Sequence, residues 1–385
     1  MFPLPPKTAD PRIALSPVEN DRDLDAFIDL PWRVYADYPL WVPPLKSDIR
    51  DILGEKNPFW KHADRQLFLV YRDGTPVGRC AAVVDRTYVE FHEEPCGFFG
   101  FFESIDDADV AGALLSAARD WLGKRGMRLM RGPASPSLNE ECGVLIEGFD
   151  DPPAIMMPYT PPYYPALLER AGLRKSKDLL SYHISTASPI PVRIENLAKR
   201  IGRKGNITVR CMRKNKWDEE LNIVRDIYNE AWEKNWGFTP MTGEELDAMA
   251  EKLKPILHAD AVYFVEVAGR VAAFSIMLPD INQALKHLDG KLGILGTLKF
   301  LYYFRKIDRL RLITLGVRKD YRNRGFEVLL YRESWLTSRR KGWKDAELGW
   351  ILEDNEPMNR GMRALEGRVY KKHRIYEDDV AGFSS

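Results

Sequence analysis

The stretch Leu312-Ile-Thr-Leu-Gly-Val-Arg-Lys-Asp-Tyr-Arg-Asn-Arg-Gly-Phe-Glu-Val-Leu-Leu330 decides the fold of this chain. It passes from an apolar strand, Leu312 to Val317, through a basic loop into an amphipathic helix, Phe326 to Arg340, with Val328, Leu329, Trp335 and Leu336 inward and Gly342 as the stop. Gly325 permits close backbone approach, and the helix behind it offers N–H groups that lack intrahelical acceptors and therefore suit an anion. Arg318, Lys319, Arg322 and Arg324 supply the matching charge. The loop is expected to cradle a phosphorylated carrier.

The same order of elements occurs twice. Leu67 to Val84 and Val262 to Met277 each read as strand, glycine turn and strand. Each is followed by an apolar strand (Gly97 to Glu103; Leu312 to Val317), an amphipathic helix (Val110 to Lys124, stopped by Gly126; Phe326 to Arg340) and a further strand (Met127 to Met130; Ala346 to Ile351). This order predicts an α/β (α+β) chain of two tandem domains, each a mixed central sheet flanked by helices; the alternative is one large mixed sheet. Ser185-Thr-Ala-Ser-Pro-Ile-Pro-Val192 has the composition of a linker. The expected boundaries are 11–184 for the first domain, 185–204 for the linker region and 205–380 for the second. The second half opens with a strand around Ile207 to Cys211 and a long helix from Trp217 to Trp236.

Composition narrows the function. The 385 residues, 45% hydrophobic and 11% aromatic, are enough for two packed cores. A formal charge of +1 gives no global attraction to nucleic acid, and the basic run is short and lacks interleaved aromatics. No nucleic-acid partner is expected. Cys80, Cys96, Cys142 and Cys211 form no CxxC pair and the six histidines form no HExxH, so no metal is expected either. No basic segment with an apolar core opens the sequence, and no window approaches the roughly 20 apolar residues of a spanning helix. Cytoplasmic residence is the expectation.

Val317-x-x-x-Tyr321-Arg322-x-x-Gly325-Phe326 resembles motif A of the GNAT acyltransferase superfamily. The resemblance implies that acyl-CoA is the donor, with an acyl carrier protein as a second source of the acyl group. It also implies that Leu315, Val317, Arg322, Asn323, Arg324, Gly325 and Phe326 hold the carrier. Asn355 follows the next strand as a motif B asparagine does, and Met358, Met362 and Leu365 continue as a helix before Gly367. Two positions depart from the pattern. Glu327 stands where most members have a second glycine; pointing inward it would repel pyrophosphate, pointing outward it would favour the helix dipole. Met362 stands where many relatives carry a tyrosine that protonates the leaving thiolate.

Arg131-Gly-Pro-Ala-Ser-Pro-Ser-Leu-Asn-Glu-Glu-Cys-Gly-Val-Leu-Ile-Glu-Gly-Phe-Asp150, with the Pro- and Tyr-rich run to Tyr164, resembles the signature of the bacterial ceramide synthase family of tandem GNAT proteins. That resemblance implies transfer of a fatty acyl group to the amine of a sphingoid base such as 3-oxosphinganine. Tyr159 and Tyr163 would wall an amphipathic ligand, and Asn139, Glu140 and Glu141 would reach its polar groups; the other reading is a proline-fixed packing segment. For acyl transfer, Glu347 or Glu353 is the expected base, Asn355 positions the carbonyl or a water, and Tyr370 or Tyr376 either replaces the missing acid or is an ordinary sheet residue. The insertion Leu292 to Arg309 joins Ile294, Leu295, Leu298, Leu301 and Tyr302 to Lys299, Lys306 and Arg309, a pattern for peripheral membrane contact or for an ordinary core helix. Two rival functions share these residues: acetylation of a small amine or peptide, and non-catalytic binding of a lipid or acyl carrier.

Overall fold

The computed structural model describes residues 10–380 apart from Lys204 and Lys234. The chain divides into two compact units, one of residues up to Asp178 with Leu285–Lys299 and the residues from Lys372, the other of Leu179–Ala284 and Phe300–Lys371.

In the first unit the chain forms β1 (Ile13–Pro17), α1 (Asp21–Val34), α2 (Lys46–Leu53), β2 (Ala63–Arg72), β3 (Thr75–Asp85), α3 (Arg86–His92), β4 (Cys96–Ser104), α4 (Ala108–Gly123) and β5 (Leu129–Gly132). Short strands β6 (Ala134–Ser135), β7 (Glu141–Cys142) and β8 (Val144–Glu147), then α5 (Tyr164–Arg170), lead into β9 (Arg174–Ser185). The sheet runs β1-β2-β3-β4-β5, antiparallel until β4 meets β5 in parallel over Cys96↔Leu129, Gly97↔Met130 and Phe98↔Arg131. α4 starts where the Asp107 carboxylate accepts from the Asp109 and Val110 amides, at 2.9 and 3.1 Å, satisfying two donors of its first turn. Its buried stripe of Val110, Leu114, Ala118 and Leu122 belongs to the same core as Val77, Ala82 and Val84 of β3.

The second unit repeats the plan with α6 (Val192–Gly202), β10 (Ile207–Cys211), α7 (Trp217–Trp232), α8 (Gly243–Leu253), β11 (Val262–Val267), β12 (Arg270–Pro279) and α9 (Asn282–Leu285). The chain continues through α10 (Ile294–Phe304), whose residues up to Lys299 count with the first unit, then β13 (Arg309–Val317), α11 (Phe326–Lys341), β14 (Asp345–Leu352) and α12 (Glu356–Ala364) into β15 (Arg368–Asp379), which returns to the first unit at Lys372. The hairpins β2/β3 and β11/β12 both turn on a residue and a glycine of positive φ, Asp73-Gly74 at 49° and 75° and Ala268-Gly269 at 50° and 80°. That geometry matches the strands' own twist. α7 packs Ile227 against Phe264 and Phe274 on one sheet face, while Phe326, Leu330 and Trp335 of α11 join Ala273, Leu312 and Leu348 on the other.

Three features differ from the sequence boundaries. β14 takes Leu179–Ser185 of β9 as its antiparallel neighbour, whereas β5 takes Tyr376–Asp379 of β15. The strand that closes each half in sequence therefore pairs in the other unit, and the divisions at 184 and 205–380 do not follow the contacts. The 185–204 region holds α6, whose Ile194, Ala198 and Ile201 are buried in the second core, so its small, proline-rich opening marks a bend rather than a separation; its last residue, Lys204, lies outside the described residues. Arg309, grouped with the insertion by charge, begins β13.

Ion pairs hold β15 in the first unit. Arg131 meets Glu377 at 3.0 Å, Arg119 meets Asp378 at 2.6 Å, and Arg374 meets Asp178 at 2.8 Å. Burial pushes the Asp178 carboxyl up, but hydrogen bonds from Arg374 and Lys175 outweigh it and hold the group below its ordinary value. A depressed carboxylate adds stability above its unfolded pKa of about 3.9 and loses it as pH falls through the lower folded value. Asp178→Asn should therefore destabilise the protein at pH 7 and lose less stability than the parent on acidification below about pH 4. Urea titrations at stepped pH measure this, and parallel pH slopes for the two proteins would refute it.

Candidate active site

β13 and β14 pair in parallel only from Arg309↔Asp345 to Leu312↔Leu348, although β13 runs on to Val317 and β14 to Leu352. Beyond Leu312 the two strands part. On its other side β13 stays paired with β12 as far as Ala273↔Val317, and the Arg318 amide donates to the Ala272 carbonyl at 3.0 Å. In an antiparallel ladder this makes 273/317 and 275/315 the non-hydrogen-bonded pairs, so the peptide groups of Leu315 and Val317 turn away from β12 into the opening. The two strand residues expected to hold the carrier arm thus present backbone donors and acceptors there.

The strand ends in a 3-10 turn, Lys319–Tyr321, and α11 begins at Gly325, whose φ of 80° and lack of a side-chain cap leave the first helical N–H groups facing outward. Asn323, at φ 61°, and Arg324 are exposed on this loop, and Phe326 is buried behind it. The charges are distributed differently from the sequence expectation. Arg318 sits 3.8 Å from Asp226 and 3.5 Å from Glu230, and Lys319 pairs with Glu233, all on or just beyond α7. Arg322 donates to the Glu230 and Ala231 carbonyls at 2.9 and 3.2 Å, capping the last turn of α7. Arg324 is the cation of the four whose guanidinium stays with its own loop, donating to the Asp320 carbonyl at 2.9 Å and lying over Tyr321. Glu327 is half-buried in the first helical turn, and its charge adds to burial in raising the Tyr331 hydroxyl one turn on.

Two of the expected catalytic residues meet. Glu347 is fully buried; its Oε2 accepts from the Tyr370 hydroxyl, and its Oε1 lies 3.4 Å from Arg311 Nε without accepting a hydrogen bond. Arg311 in turn donates to the Gly349 carbonyl at 3.1 Å. His183, opposite Glu347 on β9, holds its Nε2 3.0 Å from Asp345 and its ring 5.8 Å from Tyr370. A bulge at Ile313 lets both Arg311, opposite Leu278, and Thr314, opposite Ile276, fall on one sheet face. Thr314 Oγ1 is a second buried polar atom there without a hydrogen-bond partner among the described residues.

The other expected residues have structural places. Asn355 caps α12, accepting from the Met358 amide at 3.3 Å, and Glu353 is exposed after β14. Met362 is fully buried in the second core. Tyr376 lies in the first unit and donates to Glu169 at 3.2 Å. Tyr159 and Tyr163 pack on the first core and donate to the Phe149 and Ser104 carbonyls at 2.9 and 2.8 Å, while Asn139 and Glu140 are half-buried at the tip of the β6/β7 hairpin. Sequence reasoning missed Arg311, Thr314, His183 and Asn359. The last is buried, accepts from Tyr182 and donates to the Leu352 and Glu353 carbonyls. An arginine between Leu310 and Leu312, inside an apolar strand, was the available signal for Arg311.

The corresponding opening in the first unit is closed by its own chain. β6 folds over β4 so tightly that a Cβ on Gly100 would sit 1.7 Å from the Ala134 carbonyl oxygen, and the Phe101 amide donates to Ser135 Oγ at 2.9 Å. The splayed strand ends of the first unit are thus filled from within.

No family model matches the chain. Two relatives are similar along nearly their whole length. Protein YghO of Escherichia coli strain K12 is 36% identical over 371 residues, covering 94% of each chain. Bacterial ceramide synthase of Caulobacter vibrioides is 34% identical over 373 residues, covering 95% of this chain and 97% of that one. Among solved structures, a tandem GNAT protein from the clavulanic acid biosynthesis pathway superposes with a TM-score of 0.57 at 13% identity, over 96% of this chain and 99% of that one. A GCN5-related N-acetyltransferase from Sphaerobacter thermophilus gives 0.54 at 14% identity, over 96% of each. These structural likenesses carry the fold, and the expected mixed α/β architecture of tandem GNAT-like halves is what they share with this chain. The chain belongs to the tandem GNAT family of bacterial ceramide synthase, a family of N-acyltransferases.

Proposed function

We propose that this protein transfers a fatty acyl group from acyl-CoA to the amine of a sphingoid base of the 3-oxosphinganine kind, forming a ceramide-type amide. One observation carries the reading: unpaired peptide groups of Leu315 and Val317 open beside the uncapped start of α11, with buried Glu347 on the neighbouring strand. A pantetheine arm is a short chain of amides and completes such an edge as an added strand would. The pyrophosphate then meets the N–H groups at Gly325 to Glu327, with Arg324 as the nearby cation. A fatty acceptor and a long-chain donor are supported by the likeness to bacterial ceramide synthase.

The chemistry follows from the buried pair. The amine must lose a proton as it attacks the thioester carbonyl, and Glu347 Oε1 is the acceptor that Tyr370, holding Oε2, leaves toward it. Thr314 Oγ1 offers the same amine or a bridging water a second hydrogen bond. The tetrahedral oxyanion forms beside the inward peptide N–H groups of β13, and its collapse expels a thiolate. A thiol of pKa about 8.5 leaves without strong acid assistance, so burial of Met362 in the core is compatible with turnover.

Mass spectrometry of the purified protein with sphingoid bases, offered palmitoyl-CoA, acetyl-CoA or palmitoyl-acyl carrier protein, tests the reading; no amide from any base would end it, and faster turnover of acetyl-CoA with small amines would replace it. Glu347→Gln should lower kcat/KM about 10²- to 10⁴-fold while acyl-CoA still raises the melting temperature. An unchanged rate would remove Glu347 from the mechanism. Arg324→Ala should weaken acyl-CoA about tenfold without changing the melting temperature of the free protein, whereas Arg322→Ala should lower that temperature because it uncaps α7. Calorimetry reads both, and equal donor affinity in Arg324→Ala would move the pyrophosphate elsewhere.

A further inference from the structure

α10 is a helix without a buried residue. Among the described residues nine large apolar side chains are exposed, and six of them lie between Leu292 and Tyr302. Ile294, Leu295 and Leu298 reach 86%, 76% and 61% exposure, and Leu301 and Tyr302 reach 50% and 55%. Their spacing of three to four residues puts them on one face. The half-buried positions Gly296, Phe300, Tyr303 and Phe304 form the opposite stripe, and Phe304 stacks on His258 at 5.9 Å. The helix is therefore seated by its aromatic side and turns its aliphatic side to solvent.

Charge identifies what covers that side. From Gly290 to Ile307 the chain has no acidic residue, and Lys291, Lys299, Arg305 and Lys306 are exposed. Lys306 lies 4.0 Å over the Tyr302 ring with its amine on the hydroxyl at 2.6 Å, an arrangement that keeps the cation at the edge of the apolar stripe. A second copy of this surface would press these cations against their own kind. An anionic bilayer accepts both parts, the aliphatic face entering the boundary of headgroups and acyl chains and the cations meeting phosphates. At 11 residues α10 is about 16 Å long, too short to span, and no helix among the described residues is long and apolar enough to cross a membrane.

We propose that α10 is a docking surface for an anionic lipid bilayer, lying in the plane of the membrane surface. This goes beyond the acyltransfer reading and does not depend on it. Flotation of the full chain with phosphatidylcholine vesicles, with and without phosphatidylglycerol, tests it. The protein should float with the anionic vesicles, and Leu295→Glu/Leu298→Glu should weaken binding about tenfold or more while leaving the melting temperature unchanged. Lys291→Ser/Lys299→Ser should weaken it about fivefold for each charge removed, the loss shrinking as salt is raised. Failure of the parent protein to float, or equal flotation of the leucine variant, overturns the proposal. A concentration-dependent dimer that the leucine variant abolishes, without flotation, overturns it in favour of self-association.

Discussion

The parting of β13 from β14 is the constraint on which the rest of the second unit depends. A parallel pair that ends at Leu312↔Leu348 leaves Leu315 and Val317 with peptide groups that no strand of the sheet satisfies. Such groups can pair with a ligand that carries amides of its own. The bulge at Ile313 returns Thr314 to the face on which Arg311 and Glu347 already lie.

The two units carry one plan to different ends. Both place an antiparallel hairpin beside a short parallel pair joined by a helix, and both let the parallel strands diverge. In the first the gap is filled from within: Gly100 exists to admit the Ala134 carbonyl, and Ser135 takes up the Phe101 amide. In the second it stays open and is flanked by a buried carboxylate.

Much of this was legible because it is local. The hairpins, α4, α11 and the parallel strands follow from alternation, helical spacing and glycine stops, each decided within a dozen residues. Glu347 also stands out in the sequence, a carboxylate inside the apolar run Ala346 to Ile351, whereas Tyr370 lies in a basic stretch and its meeting with Glu347 comes from the fold. What was hidden depends on distant partners. Arg318, Lys319 and Arg322 look like free phosphate ligands until Asp226, Glu230 and Glu233 of the α7 region come alongside, and nothing in the loop itself announces them. Asn355 reads as a polar residue at the right distance from a strand, and only the α12 amide that it caps gives it a structural occupation.

The exchanged closing strands carry a consequence for biogenesis. β5 cannot be completed until β15 has been made, and the Arg131 and Glu377 side chains that bind them stand 246 residues apart. Domains ordinarily fold from the N-terminal side as synthesis proceeds. Here the earlier half must wait on the ribosome with one sheet edge unpaired, an edge that invites pairing with foreign strands. A cut near the linker would separate β5 from β15 and β14 from β9.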